Sequence, residues 1–148
     1  MPGQQKRKKS VRQKLNAMSA EFKNKNVLIV DDSIVRGTTS KEIVKMAKDA
    51  GANKVFFTSA APPVRYPHVY GINMPNRDEL IAHNRTISEI ADCLEIDNLV
   101  YQSVESLSKA IISDSRIKGL EMSCFTGDYV TGTVNQEYLN WVENEYKS

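Results

Sequence analysis

The sequence predicts an α/β fold built on a parallel sheet, and three observations carry that prediction. A short continuous apolar run, Val27–Val30, has the character of a strand inside a parallel sheet, buried on both faces. A segment with apolar residues at helical spacing follows it, at Ile43, Val44, Met46, Ala47 and Ala50. A second strand-like run, Val55–Ala60, comes next, so strand, helix and strand fit into about 35 residues, which calls for parallel strands and a right-handed crossover.

Taken in order, residues 1–25 lack steady periodicity and contain Pro2 and Gly3, which reads as a basic flexible arm with one helical turn near Val11–Leu15. Asp31–Gly37 is a loop, and Thr38 or Thr39 is placed to cap the helix that Gly51 ends. Pro62, Pro63, Pro67 and Pro75 then mark an extended connection with little helix. Arg77–His83 and Thr86–Leu94 read as helical, and Leu99–Gln102 as a short strand. Val104–Ile112 is a helix capped by Ser103. Ser113–Thr133 is loop-rich, and Val134–Tyr146 is a last helix with Tyr138, Leu139, Trp141 and Val142 on its apolar side. The chain thus divides into the arm (1–25), a sheet-bearing core (26–113) and a C-terminal loop and helix (114–148).

Composition excludes several classes. At 148 residues, 41% hydrophobic and 26% charged, the chain has the make-up of a globular domain. No apolar run approaches the roughly 20 residues that span a bilayer, and the N-terminus has no apolar signal region, so no membrane partner and a cytoplasmic setting are expected. The two cysteines, Cys93 and Cys124, form no metal-ligand spacing. The net charge of +2 is uneven: Lys6, Arg7, Lys8, Lys9, Arg12, Lys14, Lys23 and Lys25 fall in the arm. A basic run without interleaved aromatics supports only weak, salt-sensitive nucleic-acid contact, so no specific nucleic-acid partner is expected.

The chemistry lies in Val27-Leu28-Ile29-Val30-Asp31-Asp32-Ser33-Ile34-Val35-Arg36-Gly37-Thr38-Thr39-Ser40. In open α/β sheets ligands bind beyond the carboxyl ends of strands, where Asp31 and Asp32 stand. Two adjacent carboxylates repel unless a cation or hydroxyl donors compensate, and vicinal ribose hydroxyls or a magnesium ion would do so. Gly37 allows close backbone approach, and Thr38 and Thr39 add hydroxyls at a helix N-terminus, which together make a phosphate cradle. One ligand suits both halves: a ribose 5-phosphate.

These residues are similar to the phosphoribosyl-pyrophosphate (PRPP) motif of type I phosphoribosyltransferases, and VDDSIVRGTTS resembles the version in amidophosphoribosyltransferases. SVRQKLN upstream, and SAAPPVRYPHVYGINMP, ELIAHNRT and SCFTGDYVTG downstream, extend the resemblance over most of the chain. It implies a Rossmann-like type I phosphoribosyltransferase core, truncated on its N-terminal side, with a C-terminal helical tail. Asp31 and Asp32 would contact the ribose hydroxyls and magnesium. Ser33, Gly37, Thr38 and Thr39 would bind the 5-phosphate, with Arg36 nearby. Lys14 would be the catalytic lysine of the loop that closes over PRPP. The implied reaction displaces pyrophosphate from PRPP with glutamine-derived ammonia, giving 5-phosphoribosylamine at the entry to purine biosynthesis. The resemblance further implies inhibition by purine nucleotides and assembly into homo-oligomers.

The departures from the family shape further expectations. Residue 2 is Pro2 and no cysteine precedes Cys93, so the glutaminase domain and the first elements of the transferase domain are expected to be missing. The isolated chain is then expected to be inactive with glutamine and poor with ammonia. Some members hold an iron–sulfur cluster on a Cys-x-x-Cys; Glu121 stands three residues before Cys124, so no cluster is expected.

His68 and His83 have no carboxylate or serine at useful spacing and read as structural. Trp141 and Tyr138 read as packing, and Arg65 and Tyr66 follow a strand end where they could touch a ligand. Two rival functions remain. One is a non-catalytic PRPP- or nucleotide-binding regulator or remnant. The other is a receiver-type phosphoacceptor, which needs a third aspartate about 45 residues on, where only Asp78 stands in a proline-broken stretch.

Overall fold

The computed structural model describes residues 19–72, 76–113 and 116–145. Three strands, β1 (Asn26–Asp31), β2 (Lys54–Ser59) and β3 (Asn98–Tyr101), form a parallel sheet with β2 in the centre. The register pairs Ile29 with Phe57 and Phe57 with Leu99, so these side chains share one face. The helices α2 (Thr38–Asp49) and α3 (Ile87–Leu94) cover that face. Phe57, Val55, Val44, Ala47, Ile90, Leu94 and Leu99 are buried between them, joined by Ile34, Ile81, Ala82 and Ile96. Burial of this apolar set is the main force that fixes the sheet to its helices.

The opposite face departs from the expectation. Val27–Val30 does not form a strand buried on both faces: Leu28 is 60% and Val30 69% exposed, and Val100 on β3 is 55% exposed. The physical reason is that α2 and α3 pack on one side, and no described helix covers the other. The run was apolar throughout because parallel strands ordinarily have both faces covered.

The helix ends carry their own chemistry. Thr38 and Thr39 do not cap α2; Gly37 does, in the left-handed conformation (φ 75°) and without a side-chain bond. Gly51 ends the helix as expected, its N–H donating to the Lys48 carbonyl. Thr86 caps α3 with a complete capping box, in which Glu89 N–H donates to Thr86 Oγ1 and Thr86 N–H donates to the Glu89 carboxylate. Ser103 caps α4 (Val104–Ile112) by accepting from Ser106 N–H. The Arg77–His83 stretch is a 3-10 turn over Arg77–Glu79 followed by irregular turns, with Asn76 as its cap.

Residues 19–25, assigned to the arm, form the short α1 (Ser19–Phe22) and a turn bonded to the α2–β2 connection through Asn24 N–H to Gly51 O and Asn53 N–H to Lys25 O. The helical turn expected near Val11–Leu15 lies outside the described residues. The C-terminal part holds a short α5 (Ser123–Thr126) and α6 (Gln136–Glu145). Of its expected apolar side, Leu139 is buried, but Tyr138 and Trp141 remain exposed, so the packing assigned to these aromatics is corrected. Among the described residues no helix is long and apolar enough to cross a membrane.

Candidate functional site

The carboxyl end of β1 opens into a cleft of about 320 Å3 lined by Asp31, Asp32, Ser33, Arg36 and the turn from Gly37 to Ser40, with Val35 also in its wall. Asp31 is the last residue of β1. Its Oδ1 accepts from Asp32 N–H at 3.0 Å, and Asp32 Oδ1 accepts from Ser33 Oγ at 3.1 Å. Each carboxylate therefore keeps its second oxygen without a bond among the described residues. The loop is fixed from below: Ala60 and Ala61 N–H donate to the Asp31 and Asp32 carbonyls, and Ile34 is buried in the core.

At the other end of the cleft the first helical bond of α2 runs from Lys41 N–H to Gly37 O at 2.9 Å. The N–H groups of Thr38, Thr39 and Ser40 precede that bond and have no intrahelical acceptor, leaving donors and the positive end of the helix dipole facing the cleft. Because Gly37 caps the helix without a side chain, the hydroxyls of Thr38 and Thr39 are not spent on capping. The result is a cleft with acceptors at one end and donors at the other.

Gly37 favours this shape. Its φ of 75° suits glycine, and a Cβ there would stand 2.4 Å from Ile81 Cδ1 and 3.3 Å from Leu94 Cδ2. Ile81 N–H donates to Val35 O at 2.9 Å, so the turn that follows Arg77–Glu79 packs directly under the loop. On the same side Arg36 Nε donates to Glu79 Oε2 at 2.6 Å, a pairing across 43 residues that no spacing in the sequence announces.

All seven residues expected to bind PRPP thus line one cleft, whereas Lys14 lies outside the described residues. Arg65, which could have touched a ligand, is committed elsewhere. One of its terminal nitrogens donates to the carbonyls of Ala82 and Arg85, and its own carbonyl bonds His83. His68 does have a carboxylate partner, contrary to the reading from spacing: Nε2 is 3.0 Å from Glu121 Oε2. That pair is one of several stitches between the 65–70 and 121–131 segments. Others run from Arg65 and Tyr66 N–H to Cys124 O, and from Tyr129 Oη to Pro67 O. Burial pushes the Glu121 carboxyl up, but its bonds from Ser123 and the nearby His68 outweigh this and hold it below the usual carboxylate range. The Cys124 thiol is pushed up by burial and by Glu121. Asp78 does not line the cleft, which leaves a phosphoacceptor site without its third aspartate.

No protein-family model matches the chain. Individual proteins do. An amidophosphoribosyltransferase from Haemophilus influenzae is 53% identical over 146 residues, 98% of this chain and 29% of that protein. Those of Escherichia coli (54% over 144 residues) and Saccharomyces cerevisiae (53% over 148 residues) are similar to 97% and 100% of the chain. Among solved structures, a glutamine PRPP amidotransferase from B. subtilis, complexed with ADP and GMP, superposes with a TM-score of 0.68 at 40% identity, over 76% of this chain and 25% of that one. A structure described as the allosteric regulatory enzyme of purine biosynthesis gives a TM-score of 0.72 at 38% identity, over 84% of this chain and 27% of that one. The fold is therefore the α/β phosphoribosyltransferase core of those enzymes, and the chain spans under a third of the length of the curated relatives it matches. By sequence and by fold, the chain is similar to one part of the amidophosphoribosyltransferases.

Proposed function

We propose that the cleft at the end of β1 is the ribose 5-phosphate half of a PRPP site, and that the chain serves amidophosphoribosyl transfer: displacement of pyrophosphate from PRPP by glutamine-derived ammonia to give 5-phosphoribosylamine. The observation that carries the reading is the polarity of the cleft, with two carboxylates at one end and the open start of α2 at the other. Asp31 and Asp32 accept hydrogen bonds from the ribose hydroxyls through their uncommitted oxygens. Ser33, Gly37, Thr38 and Thr39 donate to the 5-phosphate, and Arg36 adds charge beside it. Held at both ends, the sugar presents its anomeric carbon in a fixed direction, so attack needs positioning and charge stabilisation, with no covalent nucleophile on the protein.

Magnesium fits the donors present. Among the described residues no three His, Cys, Asp or Glu side chains converge, and magnesium commonly takes one or two carboxylates and completes its shell with substrate oxygens and water. Asp31 and Asp32 would hold it, and it would supply positive charge beside the departing pyrophosphate. Lys14 is assigned to the same pyrophosphate from the arm. Glu121, held by His68 and Ser123, supports a reading without an iron–sulfur cluster at Cys124. The B. subtilis protein is complexed with ADP and GMP, which supports purine nucleotides as ligands, and we assign their phosphates to the same loop. Homo-oligomeric assembly and a cytoplasmic setting complete the reading.

The test is titration of the chain with ribose 5-phosphate, with PRPP and magnesium, and with GMP. Asp31→Asn/Asp32→Asn should weaken the sugar ligands at least tenfold while sparing inorganic phosphate. Equal loss for phosphate, or no loss for the sugars, would contradict the assignment of the two ends.

A further inference from the structure

We infer that Glu79 is a positioning residue of the anion site, holding Arg36 by its Nε so that the Nη edge of the guanidinium stays free for a phosphate. The inference rests on the phosphate-loop reading above and deepens it. Arg36 lines the cleft, whereas Glu79 does not. The 2.6 Å bond between them uses Nε alone, and the two Nη groups have no partner among the described residues. A guanidinium is a rigid planar fork of five donors. Fixing the Nε–H direction restricts the plane, and with it the directions open to the four remaining N–H groups.

Glu79 is itself held in place. Its N–H donates to Asn76, which caps the 3-10 turn. Two residues on, Ile81 N–H donates to Val35 O, and the Ile81 side chain fills the space beside Gly37. Arg77 Nη2 donates to Asn140 Oδ1 at 2.6 Å, which ties the turn to α6. The turn therefore touches three consecutive residues of the loop, Val35, Arg36 and Gly37. Both side chains of the ion pair are about half exposed (54% and 47%), and exposed pairs add little to stability. The effect of the pair falls instead on where Arg36 points.

Charge and geometry make opposite predictions here. As a negative charge near an anion site, Glu79 alone would repel phosphate, and its removal would tighten binding. As a positioning group it would strengthen binding through Arg36. Glu79→Gln and Glu79→Met lose the same charge, but glutamine keeps an acceptor for Nε and methionine does not. With ribose 5-phosphate and inorganic phosphate as probes, Glu79→Met should bind about threefold more weakly than Glu79→Gln, within the range such pairs show. The gap should vanish when Arg36→Met is added. The Arg36 Nε–Hε NMR signal should stay protected with glutamine and exchange rapidly with methionine. Should Glu79→Met fail to fold, Glu79→Ala gives the same comparison.

Equal affinities for the two variants, or a gap that persists without Arg36, would overturn the inference, as would a folded chain that binds neither probe. Failure of the parent reading looks different. Asp31→Asn/Asp32→Asn would leave ribose 5-phosphate binding unchanged while the Gln–Met gap remained with inorganic phosphate, and Glu79 would stand as the positioning residue of a plain anion site.

Discussion

Replacing Gly37 by alanine tests whether the loop is shaped by the turn beneath it. A left-handed conformation costs an alanine about 1–2 kcal/mol. The new Cβ would lie 2.4 Å from Ile81 Cδ1, so one of the two must move by about an ångström. Overpacking of this kind costs about 1–3 kcal/mol, and the lower half applies because the atom is the free end of a side chain. The stiffer unfolded chain returns about 0.4–1 kcal/mol. The net destabilisation is then about 2 kcal/mol, or about 4–8 °C in Tm for a chain of this size. Gly132 provides the control: it has a similar φ of 66°, with nothing within 4 Å of a Cβ. Gly132→Ala keeps the strain and the unfolded-state offset but not the clash, so it should cost under about 1 kcal/mol. Ile81→Val removes the clashing atom and alone costs about 0.5–1.5 kcal/mol. Combined with Gly37→Ala it should cost less than the sum by at least about 0.5 kcal/mol. Urea and thermal melts of the four variants measure this. Equal costs for Gly37→Ala and Gly132→Ala, or strict additivity with Ile81→Val, would refute the account of the loop.

Other outcomes follow from the same structure. Thr86→Ala removes half of the capping box on α3 and should cost about 1 kcal/mol in a urea melt. Leu28→Thr and Val30→Thr, on the uncovered face, should change stability by no more than about 0.5 kcal/mol, whereas Phe57→Ala in the core should cost about 3–5 kcal/mol. Burial pushes the hydroxyls of Tyr101 and Tyr129 up to about 12, so a spectrophotometric titration should show two tyrosines that ionise well above pH 10. Because these folded-state values are raised, the stability they contribute is present below pH 10 and is lost as pH climbs towards 12. Glu121 is shifted the other way. Its contribution to the join between the 65–70 and 121–131 segments is present above the ordinary carboxylate range and is lost as pH falls below it. Glu121→Gln should flatten that acid limb in a pH series of melts.

Much of this was readable from local pattern. Helical spacing locates α2, Ser103 announces α4, and the order of Asp31, Asp32 and Gly37–Thr39 puts acceptors and donors at the two ends of one cleft. These features depend on neighbours within a few residues. What could not be read depends on distant ones. The bare face of β1 turns on which elements pack there, and an apolar run reads the same whether or not it is covered. The Arg36–Glu79 and His68–Glu121 pairs join residues 43 and 53 apart. Threonine is a good capping residue in general, yet here the cap position has φ 75° and lies close to Ile81 and Leu94, which favours glycine. Trp141 shows the converse failure: an amphipathic pattern promises a buried stripe, and α6 buries only Leu139 of the expected set.

The central claim is that the carboxylates and the start of α2 hold opposite ends of one sugar phosphate. Calorimetric titration of the folded chain with PRPP and magnesium, beside Asp31→Asn/Asp32→Asn, tests it most directly. The account predicts saturable binding that weakens at least tenfold in the double variant. The same affinity in both proteins, or no binding by a chain that melts cooperatively, would contradict it.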